Sequence, residues 1–241
     1  QALKRLVRYM YTTKHIGIRY TSGSHNPFRL TAAADASFAD CEDTHRSTLG
    51  WCQWLGDDTN GSISWGSRIG KNVALSTTES EVQAALELLK DVLWTRDFLA
   101  EVGYQQTGST RILEDNNGCL GQSNATKGLR RARHYLVALG ALNEAVHAGD
   151  VHLHRVDSDK NRADQFTKGL GKIAHLRLGS QNLGVDIKVI ERKCRSDDTA
   201  TKDVTDIIAT ADPCEKEGEH SIEIANANAI PCAKEGDHKE P

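Results

Sequence analysis

The chain of 241 residues lacks several features that sort proteins quickly. Its six cysteines (Cys41, Cys52, Cys119, Cys194, Cys214 and Cys232) include no Cys-x-x-Cys pair. That excludes a zinc ribbon and argues against a disulfide scaffold; scattered free thiols suit a reducing, intracellular compartment. No apolar run approaches the ~20 residues that cross a bilayer, and there is no signal-peptide pattern. Gln1 is not a start methionine, so the chain is expected to be a cut from something longer. Acidic residues are missing from positions 1–34, which hold six Lys or Arg. Aromatic residues are missing from positions 196–241, where twelve Asp or Glu stand against four Lys. The net charge of −3 hides both ends.

A basic leading segment fits a nucleic-acid partner, although basic helix faces are commonly just solvated. The charged end has few large aliphatics, so a disordered acidic tail is expected from about residue 191. Within it PCEKEGEH (213–220) and PCAKEGDH (231–238) match at six of eight positions. Their Cys and His follow no structural-zinc spacing. The pair reads as a short duplication in a linker, with metal binding as the alternative.

Between these ends the pattern is that of a folded domain. LKRLVRYMYTTKHIG (3–17) places Leu3, Leu6, Val7 and Met10 at helical spacing. FRLTAAADASFA (28–39), WCQWLGD (51–57) and SISWGS (62–67) read as three strands with tight connections, an antiparallel meander. A helix runs from LSTTESEV to about Glu101, with Gly103 beyond it. STRILEDNNG (109–118) is a strand entering a turn, 130–148 a basic-to-apolar helix, VHLHRV (151–156) a strand, and NRADQFTKGL (161–170) a short closing helix. A meander followed by helix-separated strands predicts an α/β domain: a mixed sheet with helices on both faces.

Three carboxylates recur where such elements end. Asp35 lies in the otherwise apolar strand TAAADASF, where an unpaired charge is costly. Asp115 follows Arg111-Ile112-Leu113, and Asp164 sits beside Ala163 and Phe166. Hydrolysis of a phosphodiester by two Mg²⁺ ions roughly 3.5–4 Å apart needs such a cluster, because Mg²⁺ takes oxygen ligands. Each has a plainer explanation when taken singly. Asp115 fits an Asx turn, and Asp164 fits the first turn of a helix.

Residues 75–89, LSTTESEVQAALELL, add Glu79, Glu81 and Glu87. At ~100° per residue Glu81 shares a strip with Ala85, Leu88 and Val92, inside the apolar arc that also holds Val82, Leu89 and Leu93. Glu87 points away with Gln83, Lys90 and Asp91, into solvent. Glu79 lies just outside the arc. Glu81 is therefore the acid nearest the sheet. The alternative is a capping box with Thr78 as N-cap and Glu81 reaching back.

With these blocks in order, residues 3–185 resemble the ribonuclease H domain of copia-type retrotransposon polyproteins, preceded by the end of their reverse transcriptase. LKRLVRYMYTTKHIGIRY resembles the helix and following strand that close the reverse transcriptase. ADASFADCEDTHRSTLGWCQWLG and SISWGSRIGKNVALSTTESEVQAAL resemble the family's first strands and its Ser-Ser-Thr-Glu-Ala-Glu helix start. ILEDNNGCL, RRARHYL, RADQFTKGL and HLRLGSQNLGV resemble the later blocks. The resemblance implies a ribonuclease H-like five-stranded sheet, three strands antiparallel and then two parallel. It implies an endonuclease acting on RNA–DNA hybrids, with two Mg²⁺ (or Mn²⁺) held by Asp35, Glu81, Asp115 and Asp164. It implies contacts to nucleic acid from Thr78 and Asn116 near the metals, and from Arg46, Ser47, Lys127, Arg130, Arg131 and Arg133 to the backbone. A solvated helix face is the equal alternative for that last basic run.

The implied layout is a reverse transcriptase end (1–27), the ribonuclease H domain (28–170), an extension (171–190) and the acidic tail (191–241). The reverse transcriptase portion of the same polyprotein would be a partner. The location would be a cytoplasmic particle or the nucleus. Departures from the family pattern are Val82 for Tyr, Arg133-His134-Tyr135 for Lys-His-Ile, Leu139-Gly140 for Tyr-His and Gly118-Cys119 for Ser-Ala. VDSDKNRAD (156–164) has no His of the kind that many cellular relatives carry there. Competing readings are a catalytically decayed nucleic-acid-binding remnant, an integrase-type nuclease of the same fold, and a scaffold that works through its acidic tail.

Overall fold

Strand β1 (Leu30–Ser37) is buried on both faces along most of its length because it runs through the middle of a sheet. Its small residues Ala32, Ala33 and Ala34 are fully enclosed, which lets layers approach closely on either side. The computed structural model describes residues 2–21, 26–125, 130–186 and 188, all within one compact unit. The expected disordered tail, its Cys/His repeat and Lys127 lie outside the described residues, as do the side chains of Arg130, Arg131 and Arg133.

The sheet order is β3-β2-β1-β4-β5, with β2 Thr48–Leu55, β3 Ser62–Ile69, β4 Thr110–Glu114 and β5 Val151–Arg155. β1, β2 and β3 pair antiparallel; β4 joins β1 and β5 joins β4 in parallel. This is the mixed ribonuclease H-like sheet expected from the sequence. The meander arises because short turns can link only antiparallel neighbours, whereas the parallel strands need helical crossovers.

Helix α2 (Thr77–Glu101), α3 (Asn117–Ser123) and α4 (Leu136–Ala148) cover one face. There Val82, Ala85, Leu88, Leu139 and Leu142 form one core with Ala32, Ala34, Ile112 and Val151. On the other face a 3-10 helix, Arg162–Phe166, packs Ala163 and Phe166 on Ala33, Cys52, Trp54 and Leu113. α5 (Lys172–Leu183) lies behind it, with Asn182 Nδ2 donating to Arg162 O at 3.1 Å. Gly50 stands opposite Asp35 in the register, and a Cβ there would come within 2.6 Å of Thr167. Only glycine lets the closing segment sit this near β1.

Several local expectations change. The N-cap of α2 is Ser76, not Thr78: Glu79 N donates to Ser76 Oγ at 3.1 Å, and Leu75 N donates to Glu79 Oε2 at 2.7 Å. The helix thus starts two residues earlier than the Thr78 box requires, and Glu79 takes the role offered to Glu81. The helix expected over 130–148 divides into a 3-10 helix, Arg130–Tyr135, and α4, whose N-cap Tyr135 makes no side-chain cap bond. The closing helix is a five-residue 3-10 turn, not a helix reaching Gly169. α1 spans Ala2–Thr13, but among the described residues no strand lies between it and β1. Arg19 instead bonds singly to both flanks: its N–H donates to Leu183 O and its carbonyl accepts from Gly61 N.

Candidate metal centre

β1 and β4 run parallel with Ala33 beside Leu113, so two residues on, at the C-terminal ends, Asp35 and Asp115 come side by side. The second turn of α2 crosses above these ends and lowers Glu81 toward them. Carboxylate oxygens of Asp35, Glu81 and Asp115 lie within 4.8 Å of one another. Asp35 is 3% and Glu81 7% exposed, so the charges meet with little water to screen them.

Each of the two buried members is hard to ionise. Burial chiefly raises the Asp35 carboxyl to about 6, against a hydrogen bond from Thr167 and the charge of Lys168. Asp164 and Asp115 push it further up. Burial also drives Glu81 upward, followed by the nearby charges of Glu114, Asp35 and Asp115; the Ala36 N–H opposes them. Glu81 Oε2 is buried with no hydrogen-bond partner in the protein. An orphaned buried oxygen beside two more carboxylates is the donor set of a hard divalent cation. Cys119, buried nearby, adds no soft ligand, because burial pushes its thiol well up and keeps the proton on it.

Asp164 is not within this cluster. It sits in the closing 3-10 helix, close enough for its charge to act on Asp35, but its carboxylate is ion-paired with Lys168. Thr78 and Asn116 line the same edge: Thr78 Oγ1 donates to Asn116 Oδ1 at 3.4 Å, and Asn116 Oδ1 also caps α3 through Cys119 N at 3.0 Å. A Cβ on Gly118 would stand 2.4 Å from Thr78 Oγ1, which explains Gly at that departure from the family pattern. Arg46 is exposed in the loop before β2. Ser47 corrects its expected role. It is fully buried and its hydroxyl accepts from Ala39 N at 3.1 Å, so it closes the loop and offers nothing to a phosphate. Arg130 and Arg133 lie in the 3-10 helix before α4, with their side chains outside the described residues.

Of the other two glutamates in 75–89, Glu79 caps the start of α2 and Glu87 departs from expectation. Glu79 is buried, with His134 Nε2 2.9 Å from Oε2 and Gln83 Nε2 3.4 Å from Oε1. Glu87 is not in solvent: its side chain is 15% exposed and pairs with Lys90 and with Arg68 of β3. β3 extends to Ile69, which brings the Arg68 side chain within reach of Glu87.

One residue was missed. Glu114 is fully buried, and its carboxyl is pushed up by burial and by the charges of Asp115 and Asp35. Asn116 N donates to its Oε1 at 2.9 Å, while Oε2 has no partner. The signal was available in the strand alternation. Glu114 shares a face with buried Ile112, the same anomaly that singled out Asp35. Thr167, which donates to Asp35 Oδ2, carried no such signal.

No family model matches the chain. The retrovirus-related Pol polyprotein from transposon RE1 of Arabidopsis thaliana is 30% identical over 75% of the chain. That from transposon TNT 1-94 of Nicotiana tabacum is 31% identical over 70%. The chain spans 12% of the length of each. Among solved structures, RNase H1 from Halobacterium salinarum is 16% identical, matching 58% of this chain and 94% of its own, at a TM-score of 0.43.

Proposed function

The chain is homologous to a segment of retrovirus-related transposon Pol polyproteins, and from that premise we propose that it is an endonuclease that hydrolyses the RNA strand of RNA–DNA hybrids. The observation that carries this reading is the buried cluster of Asp35, Glu81 and Asp115 at one edge of the sheet, with Glu81 Oε2 unpartnered. Asp35, Glu81 and Asp115 would hold divalent ions, Mg²⁺ or Mn²⁺, with Asp164 completing the set. Two such ions supply an activated water and stabilise charge on the leaving 3′ oxygen.

The protein's own groups shape the rest. Thr167 fixes the orientation of Asp35 through its hydroxyl. Ala36 N–H holds one part of the Glu81 carboxylate and leaves Oε2 free for an ion. Thr78 and Asn116 stand at the same edge as polar groups able to meet a 2′-hydroxyl, the feature that separates RNA from DNA. Glu114 lies buried beneath them, its carboxyl pushed up to about 8 chiefly by that burial, so it adds little charge to the edge near neutral pH.

The test is a labelled RNA–DNA hybrid incubated with the protein and Mg²⁺, beside Asp115→Asn. Metal-dependent cleavage of the RNA strand, lost in the variant, is expected. No cleavage by the unmutated protein would refute the enzymatic reading. Within α2, Glu81→Gln should abolish cleavage while Glu79→Gln retains it; the reverse result would reassign the metal edge.

A further inference from the structure

Asp164 stands apart from the triad, and a cation of the protein's own holds it. Lys168, four residues on, places its ammonium against the Asp164 carboxylate. Asp164 is 14% exposed at its side chain and Lys168 48%, so the pair straddles the rim of the site. The ammonium also acts favourably on Asp35 and Asp115, two members of the triad. Thr167 next to it bonds Asp35, so adjacent residues address two neighbouring carboxylates from one turn. A lysine is a compact point charge on a flexible stem, and a half-exposed pair of this kind is weak enough to exchange. A divalent ion bound to Asp164 would sit beside that ammonium, and the two cations would repel each other.

We propose that Lys168 is a resident counter-ion of the metal edge: it occupies Asp164 in competition with a second divalent ion. Asp35, Glu81 and Asp115 then load first, and Asp164 joins the ligand set only when the ammonium leaves it. This rests on the reading of the cluster as a metal centre. It gives Lys168 a positioning role that the carboxylates alone do not explain.

The experiment is a Mn²⁺ titration of the full chain without nucleic acid, with bound ions counted from the electron paramagnetic resonance signal of free Mn²⁺. The unmutated protein is expected to bind one ion, and a second about ten-fold or more weakly. Lys168→Met should tighten the second site about five- to ten-fold and leave the first unchanged. Lys168→Arg, which keeps the cation, should behave as the unmutated protein. Two ions of equal affinity in the unmutated protein, or an unchanged second site in Lys168→Met, would overturn the proposal. A different result, no Mn²⁺ binding or binding unaltered by Asp115→Asn, would overturn the metal centre itself. Should Lys168→Met fail to fold by circular dichroism, Lys168→Gln carries the same comparison. As a second readout, the Mg²⁺ concentration for half-maximal cleavage should fall in Lys168→Met.

Discussion

At the N-terminal ends of β1 and β4 one side chain satisfies three backbone groups. Gln106 Oε1 accepts from Leu30 N at 3.0 Å, and its Nε2 donates to Phe28 O at 2.8 Å and Tyr104 O at 3.2 Å. Phe28 and Tyr104 stack beside it with ring centroids 3.7 Å apart, and Arg96 bonds both Gly108 O and Thr110 Oγ1. At the other ends of the same two strands, Asp35, Asp115, Glu81 and Glu114 crowd together, and two of their buried oxygens have no partner. One end is built as structure, where Gln106 and Arg96 meet complements at each of these contacts. The other is a crowd of acids that a bound proton or an added cation would relieve. Such crowding of buried acids lowers the stability of the ionised protein.

The largest effect that can break this comparison is at Asp115. Asp115→Asn should lower cleavage of an RNA–DNA hybrid by about three orders of magnitude or more, since ions held there supply several kcal/mol of transition-state stabilisation. The same change should raise the melting temperature of the metal-free protein, because it removes one of the crowded charges. A variant that loses activity and also melts lower would show that Asp115 stabilises the fold.

The second effect is on pH. Asp35 titrates near 6 in the folded protein, against about 3.9 in an unfolded chain. Between those values the folded state holds the extra proton, so unfolding free energy falls as pH rises. The shift corresponds to about 3 kcal/mol lost between pH 4 and pH 7, and Glu81 and Glu114 act in the same direction. Urea melts of the metal-free protein at pH 4 and pH 7 should show this loss, and Mg²⁺ should restore stability at pH 7 by mass action. Stability that rises over this range would mean the edge has counter-ions enough already.

The structural end predicts the converse. Gln106→Ala strands the N–H of Leu30, which is 1% exposed, and should cost about 1–3 kcal/mol. Cleavage below the melting temperature should stay unchanged. A loss of activity would show that the two ends communicate.

Much of this arrangement was legible in the sequence, and for identifiable reasons. Strand order follows from connection length, and Asp35 announced itself as a charge in an apolar run. Glu81 was separable from Glu87 by helical phase alone. What failed was what depends on two elements meeting. Glu87 was assigned to solvent because nothing in its own helix shows that β3 runs on far enough to bring Arg68 to it. Ser47 read as a polar loop residue, yet its burial comes from the loop folding back on Ala39. The start of α2 was misplaced because Ser76, Thr77 and Thr78 are all good caps, and only the reach of Glu79 to Leu75 N selects among them. The hold of Lys168 on Asp164 was open to an i,i+4 reading, but its effect on Asp35 and Asp115 needed the fold.

The smallest effect sharpens the contrast within α2 itself. Glu79 is as buried as Glu81, but Leu75 N, Gln83 and His134 all bond it, so it belongs with the satisfied end of the comparison although it sits two residues from the deficient one. His134 lies in the 3-10 helix Arg130–Tyr135, so this contact ties the basic segment to the start of α2. His134→Ala removes one of the three partners of Glu79, and His134 is itself 39% exposed, which limits the loss to about 1 kcal/mol or less. Mn²⁺ affinity should not change, while the Michaelis constant for the hybrid should rise a few-fold as the basic segment loosens. If Mn²⁺ affinity instead falls toward that of Asp115→Asn, Glu79 is part of the metal edge and α2 contributes two acids to it, not one.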